Sequence, residues 1–310
     1  MTEIAIRIEN LTRDFGTLRA VDNLSLEVQA GIIFGFLGPN GAGKTTTINL
    51  LLGLLEPTNG QAEVLGLDTQ TQGDEVRART GALLEHPGLY EQLSAEENLE
   101  FYSRIGRMPA DERQSRIKEL LTHMGVWERR KERVGTWSKG MKQKLALGRA
   151  MLHRPPLVFL DEPTAGLDVV AATAVRDDLE ALAAHEGVTV FLTTHNMAEA
   201  ERLCGQVAVI RDGELVAIGH PDEVRARAGG PGLEILGRGF DVNVLNLLRA
   251  NPGVVAAEVL NEHLTIDLRD GMDAAPLISL VVNAGIQVEE VRRSRASLEE
   301  VFLTLMEEER

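Results

Sequence analysis

The stretch Gly38-Pro39-Asn40-Gly41-Ala42-Gly43-Lys44-Thr45 decides how this sequence folds. It fits the pattern G-x-x-x-x-G-K-[ST], in which glycines let the backbone turn tightly and aim its N–H groups at a phosphate. The apolar run IIFGFLG before it is typical of a buried strand, and TTTINLLLGLL after it has the pattern of a helix. Strand, glycine loop and helix in this order predict an α/β fold that binds a nucleotide.

Two side chains of the loop define its chemistry. Lys44 is placed to reach the β- and γ-phosphates of a nucleoside triphosphate, and the Thr45 hydroxyl to ligate Mg²⁺. The alternative is a glycine-rich turn before an ordinary helix. The strand and helix that flank the motif disfavour that alternative.

A second apolar run, LVFLDEP at residues 157–163, ends in two carboxylates. A strand buried on both faces brings Asp161 to the end of the sheet, where a carboxylate suits Mg²⁺ directly or through water. Side chains alternate along a strand, so Glu162 points elsewhere and is suited to act as a general base on the attacking water. The alternative is a strand that simply ends in a polar turn.

Composition excludes several classes of protein. The chain has 310 residues with 32 Lys and Arg, 47 Asp and Glu and a net charge of −15, which argues against nucleic-acid and lipid-surface binding. The single cysteine, Cys204, excludes a disulfide framework and a cysteine-rich zinc site. The N-terminus lacks the pattern of a signal peptide, and no apolar run reaches the 18 or so residues of a membrane span. We expect a soluble, cytoplasmic chain whose membrane role, if any, comes through a partner.

The sequence predicts two domains. The first covers residues 1–228 and contains a mainly helical insertion at about 86–152. A linker is expected at Ala228–Gly232, and residues 229–310 read as βαββαβ, the order of a small α+β ferredoxin-like domain. The last helix begins with a capping box, Ser297 and Glu300.

Three further stretches carry a resemblance to a known family. They are Trp137-Ser138-Lys139-Gly140-Met141 about 20 residues before LDEP, Thr164-Ala165-Gly166-Leu167-Asp168 after it, and His195 at the end of the apolar run TVFLTTH. Together with the phosphate loop, residues 38–45, and in this order along the chain, they resemble the ATP-binding cassette (ABC) ATPases over about residues 3–225. The first stretch resembles the LSGGQ signature, with Lys for the first Gly and Met for the Gln. The variant S-K-G-M is typical of one exporter-type branch.

The resemblance implies a P-loop NTPase fold, ATP and Mg²⁺ as cofactors, and a set of site residues. It implies that the catalytic residues are Glu162, His195 and Lys44, and that Thr45, Glu85 and Asp161 hold the metal. Glu85 stands where the family normally has Gln, which adds a negative charge. The expected nucleotide contacts are Phe15 as the adenine-stacking ring, and Gly38, Pro39, Asn40, Gly41, Ala42, Gly43, Lys44, Thr45, Thr46, Ser138, Lys139, Gly140, Met141 and Asp168.

The function that the resemblance implies is a transporter motor. Two copies would form a head-to-tail homodimer that couples ATP hydrolysis to export through a separate integral membrane permease subunit, so the chain would sit at the inner face of the cell membrane. The alternative is a soluble ABC-type ATPase that acts on nucleic acid or ribosomes. A single phosphate loop, the absence of sustained heptads and the negative charge disfavour it, and no nucleic-acid partner is expected. A GTPase or small-molecule kinase would leave Ser138, Asp168 and His195 together unexplained. The C-terminal domain is open to three roles: dimerisation, regulation or structural support.

Overall fold

The computed structural model describes residues 3–228, 231–269, 272–295 and 297–307. The chain divides into two compact units, Met1–Ile218 and Gly219–Arg310. Among the residues described, no helix combines the length and the apolar composition that crossing a membrane requires.

The first unit alternates strands and helices. Its strands are β1 (Ile4–Phe15), β2 (Leu18–Gln29), β3 (Ile33–Leu37), β4 (Asn59–Val64), β5 (Leu67–Asp68), β6 (Thr80–Leu83), β7 (Leu157–Asp161), β8 (Thr189–Thr194), β9 (Gln206–Arg211) and β10 (Glu214–Gly219). Its helices are α1 (Lys44–Leu51), α2 (Gly73–Arg79), α3 (Ala95–Ile105), α4 (Ala110–His123), α5 (Lys139–Ala150), α6 (Val169–Glu186) and α7 (Met197–Leu203).

A six-stranded sheet of order β10-β9-β3-β8-β7-β6 forms the centre of this unit. Strands β9, β3, β8, β7 and β6 run parallel, so their carboxyl ends meet at one edge. Every residue of β7 and β8 is buried, as expected for apolar strands that are covered on both faces. The Phe191 ring lies 5.3 to 5.6 Å from the rings of Phe34, Phe36 and Phe159, which ties β8 to both neighbouring strands.

A second sheet of order β2-β1-β4-β5 packs with the same hydrophobic core. The alternating pattern predicts β1 and β2, and they pair antiparallel from Phe15 and Leu18 back to Ile4 and Gln29. Strand β4 extends this sheet on the other side of β1. Strand β4 was not predicted from the sequence, because NGQAEV has only two apolar residues that are buried.

The helical insertion contains α3, α4 and α5, with short 3₁₀ turns at Trp127–Arg129 and Val134–Thr136. Ser94 and Glu97 form a capping box at the start of α3, which the sequence analysis overlooked. Helix α1 is shorter than the predicted 45–55 and ends at Leu51. Gly53 follows the C-cap residue Leu52 and takes a left-handed φ of +61°, which ends the helix, and a Cβ there would lie 2.4 Å from the Thr69 carbonyl oxygen.

The second unit comprises α8 (Pro221–Ala228), β11 (Pro231–Arg238), α9 (Val242–Arg249), β12 (Val254–Leu260), β13 (His263–Leu268), α10 (Ala275–Asn283), β14 (Gln287–Arg295) and α11 (Leu298–Glu307). From β11 to β14 the order is the predicted βαββαβ. The sheet order is β12-β13-β11-β14, and every pairing is antiparallel. Ser297 and Glu300 make the predicted reciprocal capping bonds, at 2.8 and 3.2 Å.

The start of this unit differs from the expected domain boundary. Residues 221–228, which the predicted bounds include in the first domain, form helix α8, and α8 groups with the second unit and contacts α11. Residues 229 and 230 of the expected linker lie outside the described residues, and β11 already begins at Pro231.

Candidate functional site

The loop between β3 and α1 is a tight backbone cradle. Gly41 and Gly43 have positive φ angles of 85° and 100°. A Cβ at Gly43 would lie 2.3 Å from the Ala20 carbonyl oxygen, so a side chain cannot fit there. Gly43 is the N-cap of α1, which leaves the first N–H groups of the helix directed into the loop. Free N–H groups and the positive end of the helix dipole fit a phosphate group.

The Lys44 ammonium lies inside this cradle. Its side chain is buried, and its Nζ donates to the carbonyl oxygens of Gly38 and Pro39 at 2.9 and 3.1 Å. The same Nζ lies 3.2 Å from Oε1 of Glu162. The ammonium group therefore donates to two loop carbonyls and forms a salt bridge with Glu162. Thr46 is half-buried in the first turn of α1, and Pro39, Asn40 and Ala42 complete the loop.

The end of β7 brings a carboxylate to the loop. Thr45 Oγ1 donates to Asp161 Oδ2 over 2.7 Å, and Thr193 Oγ1 donates to Asp161 Oδ1 over 2.6 Å. Asp161 is buried, so these bonds fix both of its oxygens. Hydroxyl and carboxylate oxygens are the ligands that Mg²⁺ prefers, and Thr45 and Asp161 are therefore chemically suited to hold it.

Glu162 is held in an uncommon backbone conformation. Its φ is +49°, a left-handed value that costs a non-glycine residue about 1–3 kcal/mol. Its N–H donates to the carbonyl and hydroxyl oxygens of Thr193 at 3.1 and 3.0 Å. The carboxylate lies between two basic side chains: Oε1 is 3.2 Å from Lys44 Nζ, and Oε2 is 3.0 Å from His195 Nδ1. The three predicted catalytic residues therefore meet in one place.

A cavity of about 510 Å³ opens beside these groups. Its lining includes Thr45 and Asp161, and Glu85 reaches it from the end of β6. The structure thus brings the three predicted metal-binding residues to one cavity, although a metal contact by Glu85 stays a prediction. The other lining residues are Asn40, Leu84, Pro87, Lys139, Lys142, Gln143, Glu162 and Ala165.

The signature-like stretch, residues 137–141, forms the N-terminus of α5. Ser138 caps the helix, as predicted, with its Oγ accepting from Met141 N at 3.3 Å. Gly140 is buried against α6, where a Cβ would lie 2.7 Å from the Ala171 Cβ. Lys139 Nζ donates to the Ala165 carbonyl oxygen over 2.8 Å. Contacts of these four residues with a nucleotide held by another copy stay predictions.

Two other predicted nucleotide contacts have partners of their own. Asp168 is the N-cap of α6, with Oδ1 accepting from Ala171 N at 2.8 Å. Phe15 is 42% exposed, and the Arg13 guanidinium lies over its ring at 4.6 Å from the centroid. The face of Phe15 is therefore available for stacking only where Arg13 does not cover it, and its role with adenine stays a prediction.

Two residues that organise the site, Thr193 and Glu199, were not predicted from the sequence. Thr193 bonds both Asp161 and the Glu162 N–H, as described above. Glu199 is fully buried, and its Oε2 accepts from the hydroxyls of Thr164 and Thr194 at 2.9 and 3.0 Å. Glu199 thereby joins the turn that follows Glu162 to the end of β8, which directly precedes His195. The signal available in the sequence was that Thr193 and Thr194 end the otherwise apolar strand β8. A buried hydroxyl needs a hydrogen-bond partner, so these threonines indicate polar groups beside them.

Comparison with known proteins places this geometry in a family. Residues 21–165 match the family described as ABC transporter, and residues 219–306 match the C-terminal domain of DrrA1-3-like ATP-binding proteins. The chain is 34% identical to the daunorubicin resistance ATP-binding protein DrrA3 of Streptomyces coeruleorubidus, over 100% of this chain and 98% of that protein. It is 41% identical to the bacitracin transport ATP-binding protein BcrA of Bacillus licheniformis, with 68% of each chain covered.

A solved structure agrees with these matches. A dimeric ATP-binding cassette in a post-hydrolysis state, bound to ADP and Pi, superposes with a TM-score of 0.62 at 25% identity, covering 69% of this chain and 98% of that one.

The chain therefore belongs to the family of ABC transporter ATP-binding proteins, and it is an ATP-binding and ATP-hydrolysing subunit of an ABC transporter. Within that family it is a DrrA-like protein, with the C-terminal domain of that group.

These matches confirm the resemblance, the P-loop NTPase fold with its small α+β domain, ATP as the nucleotide and the ATPase class. They do not support the alternative that the chain acts on nucleic acid or ribosomes, because the relatives named above are transport and resistance proteins. The branch inferred from S-K-G-M and the roles of individual site residues stay predictions.

Proposed function

We propose that this chain is the motor of an exporter for an antibiotic-type compound, and that ATP is hydrolysed in the cavity between the phosphate loop and the end of β7. The observation that carries the site assignment is the position of the Glu162 carboxylate between Lys44 and His195, at 3.2 and 3.0 Å. A carboxylate held there can orient a water molecule beside a bound γ-phosphate.

Binding of ATP first changes the partners of Lys44. Its ammonium bonds two loop carbonyls and Glu162, and it turns toward the β- and γ-phosphates when they enter the cradle. That movement frees Oε1 of Glu162 while His195 still holds Oε2. The carboxylate is then ready to accept a proton from water.

Hydrolysis follows as an in-line displacement. The water oxygen bonds to the γ-phosphorus as the bond from that phosphorus to the β–γ bridging oxygen breaks, and Glu162 takes the proton of the water. ADP leaves with the bridging oxygen, and inorganic phosphate is the second product. Lys44 and the N–H groups at the start of α1 stabilise the negative charge that develops on the phosphate oxygens.

Thr45 and Asp161 would hold Mg²⁺, and their hydrogen bond of 2.7 Å brings both oxygens to one point. The bound ion would neutralise phosphate charge. Glu85 lies at the same cavity as a third oxygen donor. The extra carboxylate, where the family normally has a neutral Gln, raises the local negative charge that the ion would balance.

Two copies of the chain would share each nucleotide. Ser138 and Lys139 at the N-terminus of α5 are exposed, and so is Asp168. Val169 and Val170 beside it are each 80% exposed, which suits a surface that another chain covers. A head-to-tail homodimer would place Ser138 and Gly140 of one copy against the γ-phosphate held by the other.

A groove beside the helical insertion suits the membrane subunit. This cavity of about 340 Å³ is lined by Leu54 and Ile105, which are 50% and 62% exposed, together with Leu52, Met108 and Leu84. Leu84 also lines the nucleotide cavity, next to Glu85. A short apolar segment of the permease that docks in the groove would therefore contact Leu84, and a movement of the chain at the end of β6 would displace that segment.

The cargo class is inferred from the relatives. Two of them are named for daunorubicin resistance and bacitracin transport, and a third for linearmycin resistance. The test is to purify the chain with the membrane protein that binds it and to measure ATP hydrolysis with and without candidate antibiotics. Stimulation by such a compound, lost in Glu162→Gln, supports the proposal. Capture of ribosomes instead of a membrane protein contradicts it.

A further inference from the structure

The Lys139 side chain has a partner within its own chain that its place in the signature-like stretch does not predict. We propose that Lys139 is a positioning residue for hydrolysis: it holds the turn 162–166, and so the Glu162 carboxylate, of the same chain. This inference rests on the proposed function, because it takes Glu162 as the residue that orients water.

A short series of hydrogen bonds leads from Lys139 to Glu162. Lys139 Nζ donates to the Ala165 carbonyl oxygen over 2.8 Å, and Ala165 N donates to the Glu162 carbonyl oxygen over 3.0 Å. On its other side, Glu162 N donates to Thr193. The turn is thus anchored by β8 at its start and by α5 near its end.

The shape of the turn accommodates the lysine. Gly166 has a φ of +67°, and a Cβ at this position would lie 2.4 Å from Lys139 Nζ. The space that a side chain at position 166 would need is therefore occupied by the ammonium group. Glu162, Ala165 and Lys139 also line the same cavity, so the anchor lies beside the reacting groups.

The anchor matters because Glu162 has an uncommon backbone conformation. A left-handed φ at a glutamate persists only where surrounding contacts determine it. Without the bond to Ala165, the turn keeps its anchors on Thr193 and, through Thr164, on Glu199, but residues 165 and 166 gain freedom. The carboxylate then spends less time between Lys44 and His195, so the chemical step slows while the phosphate loop still binds ATP.

Replacement of Lys139 by Met tests this role in the full-length chain. Lys139→Met keeps the apolar stem and removes the donor, and we expect kcat to fall about tenfold with KM for ATP within about twofold of wild type. Lys139→Arg keeps a charged donor and should return kcat to within about threefold of wild type. Lys118→Met removes an exposed lysine of α4 and serves as the matched control, with unchanged kinetics.

A second comparison separates positioning from charge. Lys142 lines the same cavity but bonds Glu91 at 2.6 Å instead of the turn. If Lys139 acted only as a positive charge near the phosphates, Lys142→Met would lower kcat as much as Lys139→Met does. The proposal expects the loss in Lys139→Met to be larger by about fivefold.

Mixed dimers then show in which chain Lys139 acts. The first chain carries Lys44→Ala and the second carries Ser138→Arg. The one intact site then combines the phosphate loop of the second chain with the start of α5 of the first chain. Lys139→Met should slow hydrolysis when it is placed in that second chain, and should have little effect in the first. The reverse pattern would mean that Lys139 contacts the partner's nucleotide, and it would overturn the proposal.

Comparison of Glu162→Gln with Lys139→Met separates failure of this inference from failure of the proposed function. If wild-type hydrolysis does not depend on Glu162, as judged with Glu162→Gln, both the proposed role of Glu162 and this inference are wrong. If hydrolysis depends on Glu162 but Lys139→Met keeps a kcat within about twofold of wild type, only this inference is overturned. The inference would also be overturned if KM for ATP rose by the same factor by which kcat/KM fell, because kcat would then be unchanged.

Discussion

The Thr45 hydroxyl donates to the Asp161 carboxylate over 2.7 Å and so joins the first turn of α1 to the end of β7. These residues are 116 positions apart in the chain. They meet because β3 and β7 lie on either side of β8 and run in the same direction. The carboxyl ends of parallel strands are where open α/β sheets bind their ligands, and the site residues Glu162, His195 and Glu85 also follow such ends.

The first prediction concerns the metal. Asp161→Asn keeps the shape of the side chain but removes its charge, so we expect the Mg²⁺ concentration for half-maximal hydrolysis to rise about tenfold or more. Titration of Mg²⁺ at saturating ATP measures this. Asp177→Asn, an exposed carboxylate of α6, is the control. An unchanged Mg²⁺ requirement in Asp161→Asn would show that the metal binds elsewhere.

The second prediction compares two glycines of the phosphate loop. Both have positive φ, so Gly41→Ala should lower stability by about 1–2 kcal/mol from backbone strain alone, because nothing lies within 4 Å of its Cβ. Gly43→Ala adds a contact of 2.3 Å with a backbone oxygen and should be more destabilising by at least about 1 kcal/mol. Thermal melts without nucleotide compare them. Equal melting temperatures would contradict the close approach of Ala20.

The third prediction tests the shared site. Ser138→Arg places a bulky cation at the start of α5, so hydrolysis should stop while a single chain still binds ATP through its own phosphate loop. Lys44→Ala should lose phosphate binding. A mixture of the two variants restores one intact composite site, and ATPase assays of the mixture should recover a measurable fraction of wild-type activity. A mixture as inactive as either variant alone would argue against the head-to-tail dimer.

The sequence predicts most of the fold because its signals are local. The apolar runs of β3, β7 and β8 need burial on both faces, and the glycines of the loop need positive φ, whatever the rest of the chain does. Strand β4 was not predicted, since it depends on pairing with β1, which is distant in sequence. The end of α1 was placed too late, although Gly53 after the C-cap is a local signal for a helix end.

The site is predicted only in part for the same reason. Lys44, Glu162 and His195 occur in recognisable motifs, and the fold brings them together. Thr193 and Glu199 belong to no motif that the sequence analysis used, and their roles depend on which hydroxyls and amides the fold places beside them. The bond from Lys139 to Ala165 is of this kind too, because it joins two stretches 26 residues apart.

In the proposed mechanism, Glu162 orients and deprotonates the attacking water. The direct measurement is single-turnover hydrolysis of ATP by the Glu162→Gln chain, together with its ATP affinity and its size in solution with ATP. Because the amide keeps the shape but cannot accept the proton, hydrolysis should fall by about 10²-fold or more. ATP should still bind, and the unhydrolysed nucleotide should hold a stable dimer. Hydrolysis by Glu162→Gln at the wild-type rate would show that Glu162 is not the general base.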